Sequence, residues 1–289
     1  MMNLQNLDYV LDTQDRFWII HGVKKKVYAN LVFSPDKMGS RYNGLTGKMY
    51  KKVILDNLEI SVFKSLDIMQ VFRPREFFKE NYSTLPLSWK KIPDALMSVG
   101  IPSKDIGIFG SYLIGFNIVK DVDFVVYGRE NCLKVAENIQ KIRNLTGAKN
   151  ISKEHIAYQA KKYSSFFSRK NSFKKILGHN WAGLQISKNV LSTIRFVYYP
   201  DEVLSDIEIK KSRLRVVRGK VIKDFETNFV PRIGYILSRR KKIRVLTYNW
   251  MFNSFLREGE DVMIRGDYNE NNKTLYISDN RKHWVKILD

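Results

Sequence analysis

Apolar and polar positions follow three different rhythms along this chain. Up to about residue 95, Phe17–His21 and Val27–Phe33 are apolar runs on either side of Gly22 and Lys24-Lys25-Lys26, which predicts a hairpin with a charged turn. Lys37–Lys48 is polar and reads as a loop, Tyr50–Ile54 as a strand, and Ser61–Met69 and Ile92–Ser98 as helices, with a break at Arg73-Pro74. From 96 to 205 strands mix with helices: strand Ile106–Phe109, a Gly110-Ser111 turn, a short helix, then an apolar strand running to Tyr127. Leu133, Ala136, Ile139 and Ile142 recur at three-residue steps, so Asn131–Ile142 reads as an amphipathic helix. Residues 152–177 are helical in pattern, and Val190–Tyr199 is β-branched and aromatic, a strand. Beyond 206 the period drops to two. Leu214–Ile222, Arg232–Leu237, Lys242–Thr247, Asp261–Gly266 and Thr274–Ser278 alternate or nearly alternate, with one helical candidate at Asn249–Leu256 and a turn at Asn269–Asn272. The whole predicts an α+β chain in three parts, 1–95, 96–205 and 206–289.

Candidate chemistry concentrates in Ile108–Tyr127, IFGSYLIGFNIVKDVDFVVY. In a strand alternate side chains share a face, so Asp121 and Asp123 lie together while Val122 and Phe124 face the other way. Paired carboxylates repel and cost desolvation, so an apolar strand rarely carries them without a reason. A divalent cation is the usual one. Gly-Ser is also a common loop dipeptide, and paired aspartates occur in turns, but Phe124-Val125-Val126-Tyr127 carries the strand on to Gly128.

The glycine-serine turn followed by an aspartate-x-aspartate strand resembles the nucleotidyltransferase superfamily of DNA polymerase β. The resemblance implies a central mixed sheet with helices, and a role for each residue. Gly110 would admit the backbone of a nucleoside triphosphate site, Ser111 and the N–H groups of the following helix would hold phosphates, and Asp121 and Asp123 would be the catalytic carboxylates that bind Mg²⁺ (or Mn²⁺). The superfamily pattern carries a third carboxylate on a later strand. Val190–Tyr199 contains no acid; Thr193 and Arg195 share a face there, and Asp201, Asp206 and Glu208 follow it. That departure bears on catalytic competence more than on fold. The five period-two strands resemble an OB-fold barrel, with Gly219-Lys220-Val221 in its first strand and Val262–Gly266 as its fourth. The order of the three parts, together with Gly47-Lys48-Met49-Tyr50-Lys51-Lys52-Val53, is similar to a group of archaeal predicted nucleotidyltransferases.

Charge adds a partner. The formal net charge is +21, which favours polyanions such as RNA or DNA, although lysine-rich composition alone can reflect genome or habitat. Between Lys153 and Lys188 the sole acid is Glu154, while Lys161, Lys162, Arg169, Lys170, Lys174 and Lys175 gather with Tyr158, Tyr163, Phe166, Phe167 and Phe173. Cations can neutralise phosphates and aromatics can stack on bases; equally, Phe166, Phe173 and Ile176 can form the buried stripe of a helix pair. Arg218 and Lys220, with Arg239, Arg240, Lys241, Lys242 and Arg244, are candidates for a nucleic-acid face on the barrel.

The single cysteine, Cys132, excludes a disulfide framework, and the four histidines make no metal spacing. No signal-peptide pattern and no apolar run of the ~18–20 residues a membrane span requires is visible, so a cytoplasmic protein without a membrane partner is expected. Three functions fit. The first is a Mg²⁺-dependent nucleotidyltransferase that moves a nucleoside monophosphate from a nucleoside triphosphate to an acceptor hydroxyl on a nucleic-acid end, with Arg195 on hand for phosphate. The second is a nucleic-acid-binding protein with a degenerate transferase core. The third is a transferase that modifies protein.

Overall fold

The computed structural model describes residues 4–23, 27–53, 61–62, 68–117, 122–163, 170–187, 190–199, 201–202, 212–249, 252–278 and 282–288. The chain divides into two compact units. The first comprises Met1–Leu55, Glu59–Asn150 and Ala182–Leu204, the second Asp56–Leu58, Ile151–Trp181 and Ser205–Asp289. Both are strand-rich, and the whole is mixed α+β.

The first unit opens with β1 (Tyr9–Asp12), β2 (Phe17–Val23), β3 (Val27–Pro35), β4 (Arg41–Asn43), β5 (Lys48–Lys52), β6 (Ser61–Val62) and β7 (Ile68–Phe72). They form one sheet in the order β4-β5-β3-β2-β1-β7, with β6 on β3. The expected hairpin is β2–β3, antiparallel. Its neighbour β1 ends in Asp12, a buried carboxylate that the β1–β2 turn satisfies. Asp12 accepts from the N–H groups of Gln14 and Arg16 at 2.9 Å each, from Arg16 Nε at 2.7 Å and from Trp18 Nε1 at 2.8 Å. Where a helix is expected over Ser61–Met69, the described residues are strand. Residues 63–67 lie outside the description, and Ile68–Phe72 pairs antiparallel with β1, Tyr9 opposite Phe72. A free sheet edge beside β1 decides the conformation of a segment whose spacing suits either state.

After α1 (Pro74–Asn81) and α2 (Leu87–Ser98) comes a second sheet. Its strands are β8 (Ile106–Phe109), β9 (Asp123–Tyr127), β10 (Gly183–Gln185) and β11 (Leu191–Val197), in the order β10-β11-β9-β8. β11 runs parallel to β9, and β8 and β10 run antiparallel to their neighbours. The amphipathic stretch after β9 forms two helices rather than one, α3 (Arg129–Glu137) and α4 (Ile139–Thr146). They break at Asn138, whose Nδ2 donates to the Lys134 carbonyl at 2.9 Å.

The second unit begins with the helix pair α5 (Lys153–Lys162) and α6 (Lys170–Gly178). It continues with β12 (Arg213–Lys223), a short β13 (Phe229–Val230), β14 (Arg232–Ser238), β15 (Lys241–Thr247), β16 (Asp261–Asn269), β17 (Thr274–Tyr276) and β18 (Trp284–Ile287). β12 pairs with β16 through Arg213–Lys220 and with β14 through Lys220–Lys223, so the sheet closes as β12-β14-β15-β17-β16-β12. β15 and β17 are parallel and the other pairs antiparallel. Numbered within the barrel, the order is first-second-third-fifth-fourth, the closure expected of an OB-like barrel. Val221, Ile236, Val262 and Ile264 are buried and alternate with exposed or half-buried neighbours, which is the period-two signal of the sequence, whereas Val245 and Leu275 are buried beside other buried residues. β18 extends the sheet beyond β16 and has no counterpart in the sequence reading.

Of the helix expected over Asn249–Leu256, residues 250–251 lie outside the described residues, Phe252 is in a 3-10 turn, and 253–256 are turn or irregular backbone. Ser254 has φ +54 and donates to Asn228 Oδ1 at 2.6 Å, while Phe252, Phe255 and Leu256 are buried. Core burial of three apolar side chains outweighs helical spacing in so short a stretch. Gly219 stands where β12 passes from one partner to the other. A Cβ there would sit 2.7 Å from the Leu237 carbonyl oxygen. Gly219→Val is therefore expected to lower stability by about 3 kcal/mol in chemical denaturation. Gly178→Ala, with nothing within 4 Å of the added carbon, should stay within ~0.5 kcal/mol. Equal midpoints for the two variants would contradict the close approach.

Candidate functional site

Asp123 opens β9 directly opposite Phe109, the last residue of β8, and Gly110 follows with φ +87. That backbone conformation suits glycine, and it leaves Asp123 Oδ2 only 3.7 Å from where a Cβ of residue 110 would be. The motif thus brings Gly110 and Asp123 together. Its other half is different. Ser111 does not start a helix; residues 111–115 form turns, closed by the Phe116 N–H donating to the Ser111 carbonyl at 3.1 Å. Phe116 anchors this loop in the aromatic core, 4.7 Å from Phe33 and 5.5 Å from Tyr50, and Asn43 Nδ2 donates to the Ile114 carbonyl at 2.6 Å. The ready-made anion site of a helix N-terminus is therefore missing after Ser111. Asp121 lies outside the described residues.

The environment of Asp123 explains an acid in this strand. The Thr193 N–H on adjacent β11 donates to its Oδ1 at 3.0 Å, and Arg195 Nη2 stands 3.8 Å from its Oδ2. Arg195 also lies over the Phe109 ring, 5.2 Å from its centroid, and its buried Nε has no acceptor among the described residues. Thr193 and Arg195 are thus the β11 residues that stand beside Asp123, and β11 brings no acid to it. The acids after β11 are placed otherwise. Glu202 caps α3, accepting the Arg129 N–H on both oxygens at 2.9 and 3.0 Å and the Tyr199 N–H at 2.8 Å, and Asp201 is exposed. Asp206 and Glu208 fall outside the described residues. Among the described residues no three His, Cys, Asp or Glu side chains converge on a metal position. What they supply at β9 is one carboxylate already matched by a guanidinium, which does not by itself make a Mg²⁺ centre.

In the basic helix pair, Phe173 and Ile176 are buried and Lys174 and Lys175 exposed, so on α6 the apolar stripe faces in and the cations face out. Lys161 and Lys162 close α5, Lys162 lying 5.3 Å over the Tyr163 ring. Arg169 lies outside the described residues, and Lys170 is the first residue of α6. The helix is tied to the barrel unit through His179 Nε2 and Glu260, 3.1 Å apart.

On the barrel, residues facing away from the interior fall into rows. Lys223, Tyr235 and Arg244 are neighbours across β12, β14 and β15, and Lys220, Leu237 and Lys242 form the next row. Tyr235 is half-buried, with Lys242 Nζ 4.4 Å and Lys223 Nζ 5.7 Å from its ring centroid. Burial, with Glu226 nearby, holds its phenol above the ordinary range, so the ring stays neutral. Leu237 is exposed. Arg239 and Arg240 form the β14–β15 turn with φ +47 and +62, a twist that matches the hairpin and carries two cations to its tip. Arg218, also exposed, pairs across β12–β16 with Met263. Sequence reading found most of these cations but not Tyr235 or Lys223; the signal was the outward register of Tyr235 in RIGYIL.

No protein-family model and no curated protein matches this chain. Among solved structures, a likeness covers 37% of this chain and 62% of the crystal structure of the tetrameric p202 HIN2, at 9% identity and a TM-score of 0.21. So low a score carries no argument about fold or ligand. No described helix is long and apolar enough to cross a membrane.

Asp123→Ala is expected to cost about 2 kcal/mol by leaving the Thr193 N–H without its acceptor. Asp123→Asn, which keeps an oxygen there, should cost less than half as much. A neutral Asp123→Ala in chemical denaturation would contradict the structural role of this carboxylate.

Proposed function

We propose that this protein binds single-stranded nucleic acid across the β12–β14–β15 face of its barrel. The observation that carries the reading is Tyr235 bracketed by Lys223 and Lys242, with Arg244 and Leu237 alongside. A neutral ring offers a stacking surface to any base, and ammonium and guanidinium groups on either side meet the phosphates that flank a stacked base. A cation-rimmed aromatic surface of this kind suits unpaired strands, whose bases are free to stack, better than a duplex. The exposed Lys174 and Lys175 of α6 and the Arg239-Arg240 tip add to the positive field of the same unit.

Fluorescence anisotropy with labelled oligouridine and oligothymidine tests it. Tyr235→Ala should weaken binding about tenfold, the loss of one stacked base, while Tyr235→Phe stays within about twofold. Lys223→Ala with Lys242→Ala should flatten the dependence of log affinity on log salt by about 1.4, two phosphates at ~0.7 each. Affinity equal to that for a duplex, or unchanged in Tyr235→Ala, would contradict the assignment.

Nucleotidyl transfer is the second reading. Gly110 beside Asp123 and the Arg195 Nε, which has no acceptor among the described residues, favour it. The neutralised Asp123 places it behind nucleic-acid binding. With Mg²⁺ or Mn²⁺ and each labelled nucleoside triphosphate, no incorporation into RNA, DNA or protein is expected. Incorporation lost on Asp123→Asn would establish transfer instead.

A further inference from the structure

The first unit holds a cavity of about 260 Å³ whose lining includes Gln5, Asp8, Arg73, Arg75, Glu76 and Tyr127. Tyr127 ends β9 four residues from Asp123, roughly 13 Å along the strand, so this cavity is separate from the Gly110–Asp123 position. It is built from fixed polar groups. Asp8 is 1% exposed and accepts the Gln5 N–H on Oδ2 at 2.8 Å. Arg75 Nη2 donates to Gln5 Oε1 at 2.6 Å, and its guanidinium lies 4.5 Å over the Tyr127 ring, so the plane is held from two sides. Arg73, immediately before α1, keeps a bond to Glu76 at 3.2 Å on the outer side.

Two arginines lining one cavity are a usual means of holding a tetrahedral oxyanion. Asp8, in the same lining, sets its net charge. Counting Arg73, Arg75, Glu76 and Asp8, the lining is neutral with Asp8 ionised and carries one positive charge with Asp8 protonated, and in the latter state the carboxyl also becomes a donor. We propose that this cavity binds a phosphate-like oxyanion between Arg73 and Arg75 and takes up a proton on Asp8 as it does so. Burial pushes Asp8 up to about 7 against the Gln5 N–H and the charges of Arg73 and Arg75, with Glu76 acting in the same direction as burial. The proton therefore changes hands near neutral pH. Tyr127, fully buried beside it, stays neutral throughout.

Sulfate is the cleanest probe because it does not titrate in this range. In calorimetry at constant ionic strength, the whole chain should bind sulfate about tenfold more tightly at pH 6 than at pH 8, the ratio of protonated Asp8 at those two values. Asp8→Asn keeps the acceptor for Gln5 and mimics the neutral state, so its binding should be the same at both pH values. Arg75→Gln should abolish binding, and Arg73→Gln, which leaves the buried groups alone, should weaken it at least tenfold. In carboxyl ¹³C NMR, saturating sulfate should move the Asp8 titration to higher pH. Inorganic phosphate and a nucleoside 5′-monophosphate, compared at pH 6, separate the sources: tighter monoester binding points to the phosphoryl group of a nucleotide, equal or weaker binding to the free ion. Sulfate binding that ignores pH, or that survives Arg75→Gln, overturns the proposal, as does the absence of binding by all three anions.

Discussion

β12 has to serve two neighbours, and the barrel exists because it can. Its first eight paired residues lie on β16 and its last ones on β14, and Gly219 is the residue at which the change of partner crowds the Leu237 carbonyl. Without that close approach the sheet stays open and its first and second strands part. With it, Lys220 and Lys223 are delivered beside β14, and the register of β14 on β15 then fixes which cations surround Tyr235. The proposed interface is thus a consequence of strand closure, set by backbone pairing before any surface side chain chooses a rotamer. The Arg239-Arg240 turn belongs to the same logic, since left-handed residues at both turn positions preserve the twist that keeps β14 and β15 in register.

The acid in the central strand shows how one local pattern admits two physical explanations. A carboxylate among buried β-branched residues needs compensation, and a metal ion is one source of it. Here the described compensation comes from the protein: a backbone N–H from Thr193 and a guanidinium from Arg195, both on β11. These partners are about seventy positions away in sequence and become neighbours only through the parallel β9–β11 pairing. Glu202, an acid close to the expected strand, is spent on the N-terminus of α3.

Much of the barrel was legible because alternation is a backbone property: one side of each strand must be apolar whatever the surface does. Five strands and the glycine of the first could be read from residues 206–289 alone, and so could the hairpin β2–β3. What escaped depended on tertiary competition. Ile68–Phe72 joins β1 because an edge is open there, and Phe255 and Leu256 go to the core from irregular backbone. The loop after Gly110 follows Phe116 into an aromatic cluster that no local window contains. The Asp8 cavity was invisible for the same reason, since its groups come from the chain start, the α1 entry and the end of β9.

Photo-crosslinking addresses the central claim most directly. A single-stranded oligonucleotide with photoreactive uridines, irradiated on the intact protein at moderate salt, is digested and its peptide adducts are mapped by mass spectrometry. The barrel account predicts adducts on the β14–β15 peptides, centred on Tyr235. Efficient crosslinking that leaves those peptides unmodified and falls wholly on the first unit would contradict it.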